Sequence, residues 1–330
     1  MTRSGRGAGL SVNSPQSLTV RRRNVHERED DVVQIGVDFG GTKIEAAALD
    51  DRGAFRARVR APNPGSYDRA VRDVCDLIAR AEDEAGDRGT VGVGTPGSIN
   101  PRDGRMRNAN ATFLNGRHFR EDLQDALGRE VRMANDANCL ALSEALDGAA
   151  AGARSAFAVI VGTGVGGGLV IDGRIVEGAN GMGGEWGHVP LPWMTAEEYP
   201  GPECWCGQRG CLDILVSGTG LRRDMAARSG AAWDGPAIVA AARAGETAAA
   251  AALDAYVDRL GRAMAMIANI VDPDVFVMGG GMSNVAELYD RLPAVIDRYS
   301  FGGEWQGRIV AAKWGDSSGV RGAARLWASG

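Results

Sequence analysis

No stretch of the chain reaches the ~18 uninterrupted apolar residues of a membrane span. The first 30 residues carry arginines between Arg3 and Arg23 but no apolar core of a secretory signal; they read as a disordered tail, or as a start placed too early, ahead of a fold beginning near Asp31. Basic residues are outnumbered, 37 Lys plus Arg against 42 Asp plus Glu, so the formal charge is −5, which lacks the basic balance of a nucleic-acid binder. Lysine is nearly missing, with only Lys43 and Lys313. No G-x-x-x-x-G-K-[ST] occurs, which excludes a P-loop. The five cysteines are odd in number and three fall within eight residues, a pattern that suits a reducing compartment and a metal rather than a disulfide framework. Glycine is the abundant residue, 48 of 330, about twice the usual ~7%. Hydrophobic residues at 44% and charged residues at 24% describe a globular chain of one large or two medium domains.

Periodicity sketches an α/β order. Val32–Asp38, Glu45–Leu49 and Ala54–Arg60 read as strands joined by short turns, and Tyr67–Glu84 has helical spacing at Val71, Val74, Leu77, Ile78 and Ala81. A strand at Val91–Val93, another at Arg129–Met133 and an Ala/Leu-rich helix from Asp136 to Ala149 follow. The pattern then repeats: strand Ala156–Val161, a glycine loop Gly162–Gly168, then strands Leu169–Ile171 and Ile175–Val176. Helical spacing dominates from Leu212 to Val271, and strands Val275–Met278 and Ile309–Ala312 precede a last helix, Gly319–Trp327. Strand, glycine loop and strand thus occur twice, near 38 and near 162, which hints at a duplicated fold.

Four motifs carry chemistry. Asp38-Phe39-Gly40-Gly41-Thr42-Lys43 ends a buried strand with a carboxylate, exposed amides, a hydroxyl and a lysine. That set suits a polyphosphate, with Asp38 holding magnesium through water; a plain hairpin turn would need neither the Thr-Lys pair nor the strand-end Asp. Gly162-Thr163-Gly164 opens a formal G-x-G-x-x-G, but a strand follows where a dinucleotide fold needs a helix, so it reads as a second phosphate-facing loop. His188, Cys204, Cys206 and Cys211 are spaced H-x15-C-x-C-x4-C, one imidazole and three thiolates for a closed structural zinc site. Asn135-Asp136-Ala137-Asn138 lies at a strand-to-helix junction and is either an N-cap or the place of a general base. Cys75 and Cys139 read as core, and His26 and His118 as surface residues.

Together these residues resemble the ROK family of sugar kinases and sugar-responsive repressors. Asp38-x-Gly-Gly-Thr-Lys43 is similar to its phosphate loop, Glu185-Trp186-Gly187-His188 to its sugar motif, and Cys204-x-Cys206-Gly207-x-x-Gly210-Cys211 to its zinc motif. Arg107–Asn110, Asn135–Asn138 and Glu185–Trp193 most resemble bacterial fructokinases of the manno(fructo)kinase type. The resemblance implies a two-lobed actin-like, hexokinase-type (ribonuclease H-like) fold, with lobes at 31–150 and 151–330 and the final helix, about 317–330, packing back on the first. It implies a cytoplasmic homodimer that uses ATP and magnesium to phosphorylate a hexose, most readily D-fructose to fructose 6-phosphate; glucokinase and N-acetylhexosamine kinase are the alternatives. Asp136 would be the base, with Gly97, Asn110, Asn135, Glu185 and His188 at the sugar, and Gly279-Gly280-Gly281 on the adenosine side of ATP. The family's glutamate after the last zinc cysteine is Asp213 here, one methylene shorter, expected at the sugar's anomeric side and away from the nucleotide loops. A non-catalytic sugar-sensing ROK protein is the rival class. About 30 residues before the first strand are fewer than a DNA-binding domain needs to fold unaided.

Overall fold

The computed structural model describes residues 33–328; the readings of residues 1–30 and of His26 lie outside them. The first half runs β1 (Gln34–Phe39), β2 (Lys43–Leu49), β3 (Phe55–Pro62), α1 (Tyr67–Ala85), β4 (Thr90–Thr95), the small hairpin β5 (Ser98–Ile99) and β6 (Met106–Arg107), α2 (Phe119–Leu127), β7 (Val131–Asn135) and α3 (Asp136–Leu146). The second runs β8 (Ser155–Val161), β9 (Val165–Ile171), β10 (Arg174–Ile175), α4 (Leu212–Leu215), α5 (Gly218–Ser229), α6 (Gly235–Arg243), α7 (Thr247–Val271), β11 (Val275–Gly279), α8 (Ala286–Tyr299), β12 (Arg308–Ala311) and α9 (Ser318–Ala324).

The two five-stranded sheets share one plan. Their orders are β3-β2-β1-β4-β7 and β10-β9-β8-β11-β12. In each, the first strand pairs antiparallel with the second, and two later strands add in parallel on its other edge. Helices cover both faces of such strands, so β11 is wholly apolar and β1 is apolar apart from Gln34 and Asp38. The duplication hinted at by the sequence is therefore one of topology. Helix α1 buries the stripe Ala70, Val74, Leu77, Ile78 and Ala81 and stops at Gly86, whose φ of 74° closes the last turn.

The glycine run differs from its reading as a loop. Gly166, Gly167 and Gly168 lie inside β9, paired with Ile160, Val159 and Ala158, and only 162–164 remain as the turn. Packing explains this: a Cβ on Gly168 would sit 2.7 Å from the carbonyl oxygen of Ala137, so α3 approaches β9 more closely than any side chain allows.

Helix α9 leaves the second half and packs on β1, β2, β4 and α3. Its fit also depends on glycine, since a Cβ on Gly322 would lie 1.7 Å from the Cys139 carbonyl oxygen. A polar clasp holds it. Fully buried Glu144 accepts hydrogen bonds from the amides of Lys313 (2.9 Å) and Trp314 (3.0 Å) and from Ser318 Oγ (2.8 Å). Arg321 donates to the Gly53 carbonyl (2.7 Å) and to Asp147 (2.8 Å). Because backbone and not a flexible side chain blocks the space, Gly322→Ala is expected to cost about 1–3 kcal/mol or more. The urea midpoint reads this out; an unchanged midpoint would mean that α9 shifts freely.

Candidate active site and metal centre

Two neighbouring cavities share Gly281 and Asn284. One, of 520 Å³, is lined by Asp38, Gly40, Asp136, Gly279, Gly280 and Gly319 among others. The other, of 680 Å³, is lined by Gly162, Thr163, Thr219, Arg222, Pro236 and Val285 among others. The structure thus gathers strand ends β1, β8 and β11 at one place, as expected of an α/β fold whose strands end together. Gly41, Thr42 and Lys43 are exposed on the β1–β2 turn, where Gly40 N–H donates to the Lys43 carbonyl at 3.0 Å.

Asp38 and Asp136 face the same cavity. Burial pushes the Asp38 carboxyl up to about 6, helped by the nearby charges of Asp136 and Glu45 and opposed by Lys43. Burial also raises Asp136, with the Glu185 charge adding and the Ala137 amide opposing. Asp136 is the first residue of α3, and its Oδ1 accepts from Ala137 N–H at 2.8 Å. Asn135 caps the same helix through Ala137 N–H (2.9 Å) and donates to the Gly97 carbonyl (3.0 Å). Gly97, with φ of 74° and the Ala109 amide 2.6 Å from where a Cβ would be, holds the β4–β5 corner against Asn135.

A third cavity, of 640 Å³, lies on the other side of this junction, lined by Asn135, Asn138, Glu185, Thr95, Ser98 and Met133 among others. Trp186 fixes Glu185: the indole is buried, donates to the Gly166 carbonyl at 2.8 Å and stacks edge-on to Phe157. Several residues lining the cavity were not singled out from sequence: Asn138, Arg120, Glu121, Glu177 and Asp103. Asn138 had a visible signal, since it ends the Asn135–Asn138 motif. His118 also lines this cavity, which corrects its reading as a surface residue; it sits at the start of α2, which the β5–β6 hairpin brings to the site. Asn110 is exposed and is not among the residues lining this cavity. Cys139 is buried as expected, whereas Cys75 is only partly so.

Asp213 departs from its expected place. Its Oδ1 accepts the Val165 N–H at 2.8 Å and would lie 2.6 Å from a Cβ on Gly164. One carboxylate oxygen is therefore held by the glycine turn. Helix α4 starts directly after Cys211 and packs on β9, which puts the short aspartate arm within reach of that amide.

His188, Cys204, Cys206 and Cys211 converge, with their ligand atoms all within 4.8 Å of one another. Cys204 Sγ is 3.7 Å from His188 Nδ1, and Cys206 Sγ is 3.6 Å from Cys211 Sγ. Such separations are the edges of a tetrahedron with Zn–S of about 2.3 Å and Zn–N of about 2.0 Å, so the donor set fits zinc. The intervening loop is tied to α7. Arg262, 2% exposed, donates to the Trp193 carbonyl at 2.7 Å and to both oxygens of Glu198 at 2.8 and 2.9 Å. Although burial opposes it, bonds from Arg262 and Arg259 hold Glu198 down at about 2.

Curated relatives include the N-acetyl-D-glucosamine kinase of Photobacterium profundum, 39% identical over 88% of this chain and 98% of its own. The N-acetylgalactosamine kinase of Shewanella is also 39% identical, over 88% of this chain and 95% of its own. Among solved structures, the ROK hexokinase of Thermus thermophilus is 34% identical with a TM-score of 0.80, covering 89% of this chain and 97% of that one. The glucokinase of Streptomyces griseus in complex with glucose and AMPPNP is 28% identical with a TM-score of 0.71, over 89% and 98%. The two-sheet α/β architecture is thus the hexokinase-type fold of these structures. The model of the ROK family matches residues 34–329, and the chain belongs to that family.

Proposed function

We propose that this protein is an ATP-dependent hexose kinase whose preferred acceptors are N-acetylhexosamines. One observation carries the kinase reading: Asp136 faces the cavity of the glycine turns while its neighbours Ala134, Asn135 and Asn138 face the 640 Å³ cavity. A single carboxylate thus stands where a nucleotide's last phosphate and a sugar hydroxyl would meet. The two sheets support a division into lobes near residue 150, with α9 returning to the first.

In this reading Gly40, Gly41, Thr42 and Lys43 present amides, hydroxyl and charge to the phosphates from one side, and Gly162, Thr163 and Gly164 from the other. Gly279, Gly280 and Gly281 lie along the nucleotide. Asn135, Glu185 and His188 bind sugar hydroxyls, with Gly97 holding Asn135 in place, Asn110 on the exposed loop beside Ala109 and Asp213 acting through the 164–165 turn. Asp136 accepts the proton of the attacking hydroxyl, and its raised affinity for protons suits a general base. Asp38 would hold magnesium, which when bound would supply positive charge to the transferred group. Zinc on His188, Cys204, Cys206 and Cys211 is structural: with Nδ1 of His188 committed to the metal, its other ring nitrogen serves the sugar.

The relatives' names and the roomy cavity support N-acetylhexosamines over fructose. ADP release measured with N-acetylglucosamine, N-acetylgalactosamine, N-acetylmannosamine, glucose and fructose tests this. The N-acetyl sugars are expected to show the highest kcat/KM. Fructose leading the panel would restore the fructokinase assignment, and ADP release that ignores every hexose would remove the kinase one.

A further inference from the structure

The 640 Å³ cavity does not end at the hydroxyl-binding residues. It continues into a second space of 490 Å³, and Arg120, Met133 and Glu177 line both. Arg120 stands on the first turn of α2 in the first half of the chain, and Glu177 follows β10 in the second. No hydrogen bond or ion pair engages the Glu177 carboxylate among the described residues. Burial makes it harder to ionise and the Arg120 charge makes it easier. Arg120 uses Nη2 and Nε on Glu121, at 2.6 and 3.2 Å, and its Nη1 takes no part in that pair. Neither side chain belongs to the motifs that carry the family resemblance.

We propose that Arg120 and Glu177 form a recognition site for the carboxamide of a 2-acylaminohexose, with the second cavity receiving its acyl chain. An amide offers one donor and one acceptor; a carboxylate only accepts and a guanidinium only donates. Glu177 takes the amide N–H and Arg120 gives to the amide oxygen. A simple hydroxyl at the same carbon cannot reach both, so it forgoes one of the two charge-assisted hydrogen bonds. Beyond the pair, Val131, Met133 and Ile175 line the second space beside the polar Gln124, Glu130, Arg132 and Arg174. The apolar three give a short alkyl group a contact, the polar groups around them stay in water, and 490 Å³ is far more than a methyl group fills, so acyl chains somewhat longer than acetyl are accepted. The proposal rests on the hexosamine reading above and names the residues that would enforce it.

The test compares kcat/KM for N-acetylglucosamine, N-butanoylglucosamine and glucose in the full-length enzyme. In Glu177→Leu and in Arg120→Met, the ratio of N-acetylglucosamine to glucose is expected to fall by about 10- to 100-fold, the worth of one hydrogen bond to a charged group. Glu177→Gln, which keeps an acceptor oxygen, should recover part of that ratio. The wild type should use the N-butanoyl sugar within about tenfold of the N-acetyl one, the scale of small changes in an apolar pocket. An unchanged ratio in both variants overturns the amide site, and rejection of the N-butanoyl sugar overturns the acyl cavity. A wild type that phosphorylates glucose but no N-acylhexosamine sinks the substrate reading and this proposal together. Calorimetric binding of N-acetylglucosamine to the same proteins reads the ratio without turnover, so a failed kinase reading remains distinguishable from a failed amide site.

Discussion

Asp136→Asn is expected to lower kcat by at least about 10²- to 10⁴-fold, the usual contribution of a general base, with sugar affinity largely kept. The substitution preserves shape, and the Ala137 amide that now bonds Asp136 Oδ1 at 2.8 Å can still bond the amide oxygen. What disappears is the proton acceptor. The change has a second signature, because the Asp136 charge is one cause of the raised Asp38 carboxyl. Without it Asp38 should ionise at lower pH, so metal binding at that end should persist further into acid. Turnover near the wild-type value, with contaminating kinase excluded by a tag-matched control, would take Asp136 out of the chemistry.

The second large effect concerns the metal loop. Elemental analysis should find one zinc per chain, and Cys206→Ala should abolish it, since three ligands close a structural site poorly. Sugar affinity is expected to fall with the metal, because His188 and Glu185 lie at the start of the segment that the metal closes. Arg262 and Glu198 anchor the same loop from α7, so the fold should survive while the site loosens. A metal-free variant with an unchanged KM for sugar would make the zinc irrelevant to the reaction.

The parts legible in sequence were local. Asp38 with its two glycines, the Asn135-Asp136 junction and the Cys-x-Cys pair each lie within a few residues, and the structure puts them at a strand end, at a helix start and in a His/Cys cluster. The fold plan was legible for the same reason, because each strand–turn–strand unit writes its own alternation. Three things were not. The glycine run read as a loop because glycine carries no side chain to show alternation, yet Gly168 sits in β9 to admit α3. Asp213 was placed by resemblance of position, and the contact of its Oδ1 with the Val165 amide, set by α4, has no signal in the sequence. Arg120, His118 and Glu177 come from two distant segments that meet only when both sheets are assembled, so no spacing in the chain could pair them.

The docking of α9 has a consequence for how the protein is made. A ribosome releases the strands of the first sheet early, yet the helix that covers β1 and β4 leaves much later. At ~5–20 residues per second, the roughly 170 residues between α3 and α9 take on the order of ten to thirty seconds to synthesise. Through that interval the first sheet has one uncovered apolar face, and Glu144 keeps the Ala149 amide (2.8 Å) but lacks its three donors from the α9 region. The contact of α3 with Gly168 of β9 can form in that interval, whereas the one at Gly322 has to wait for α9.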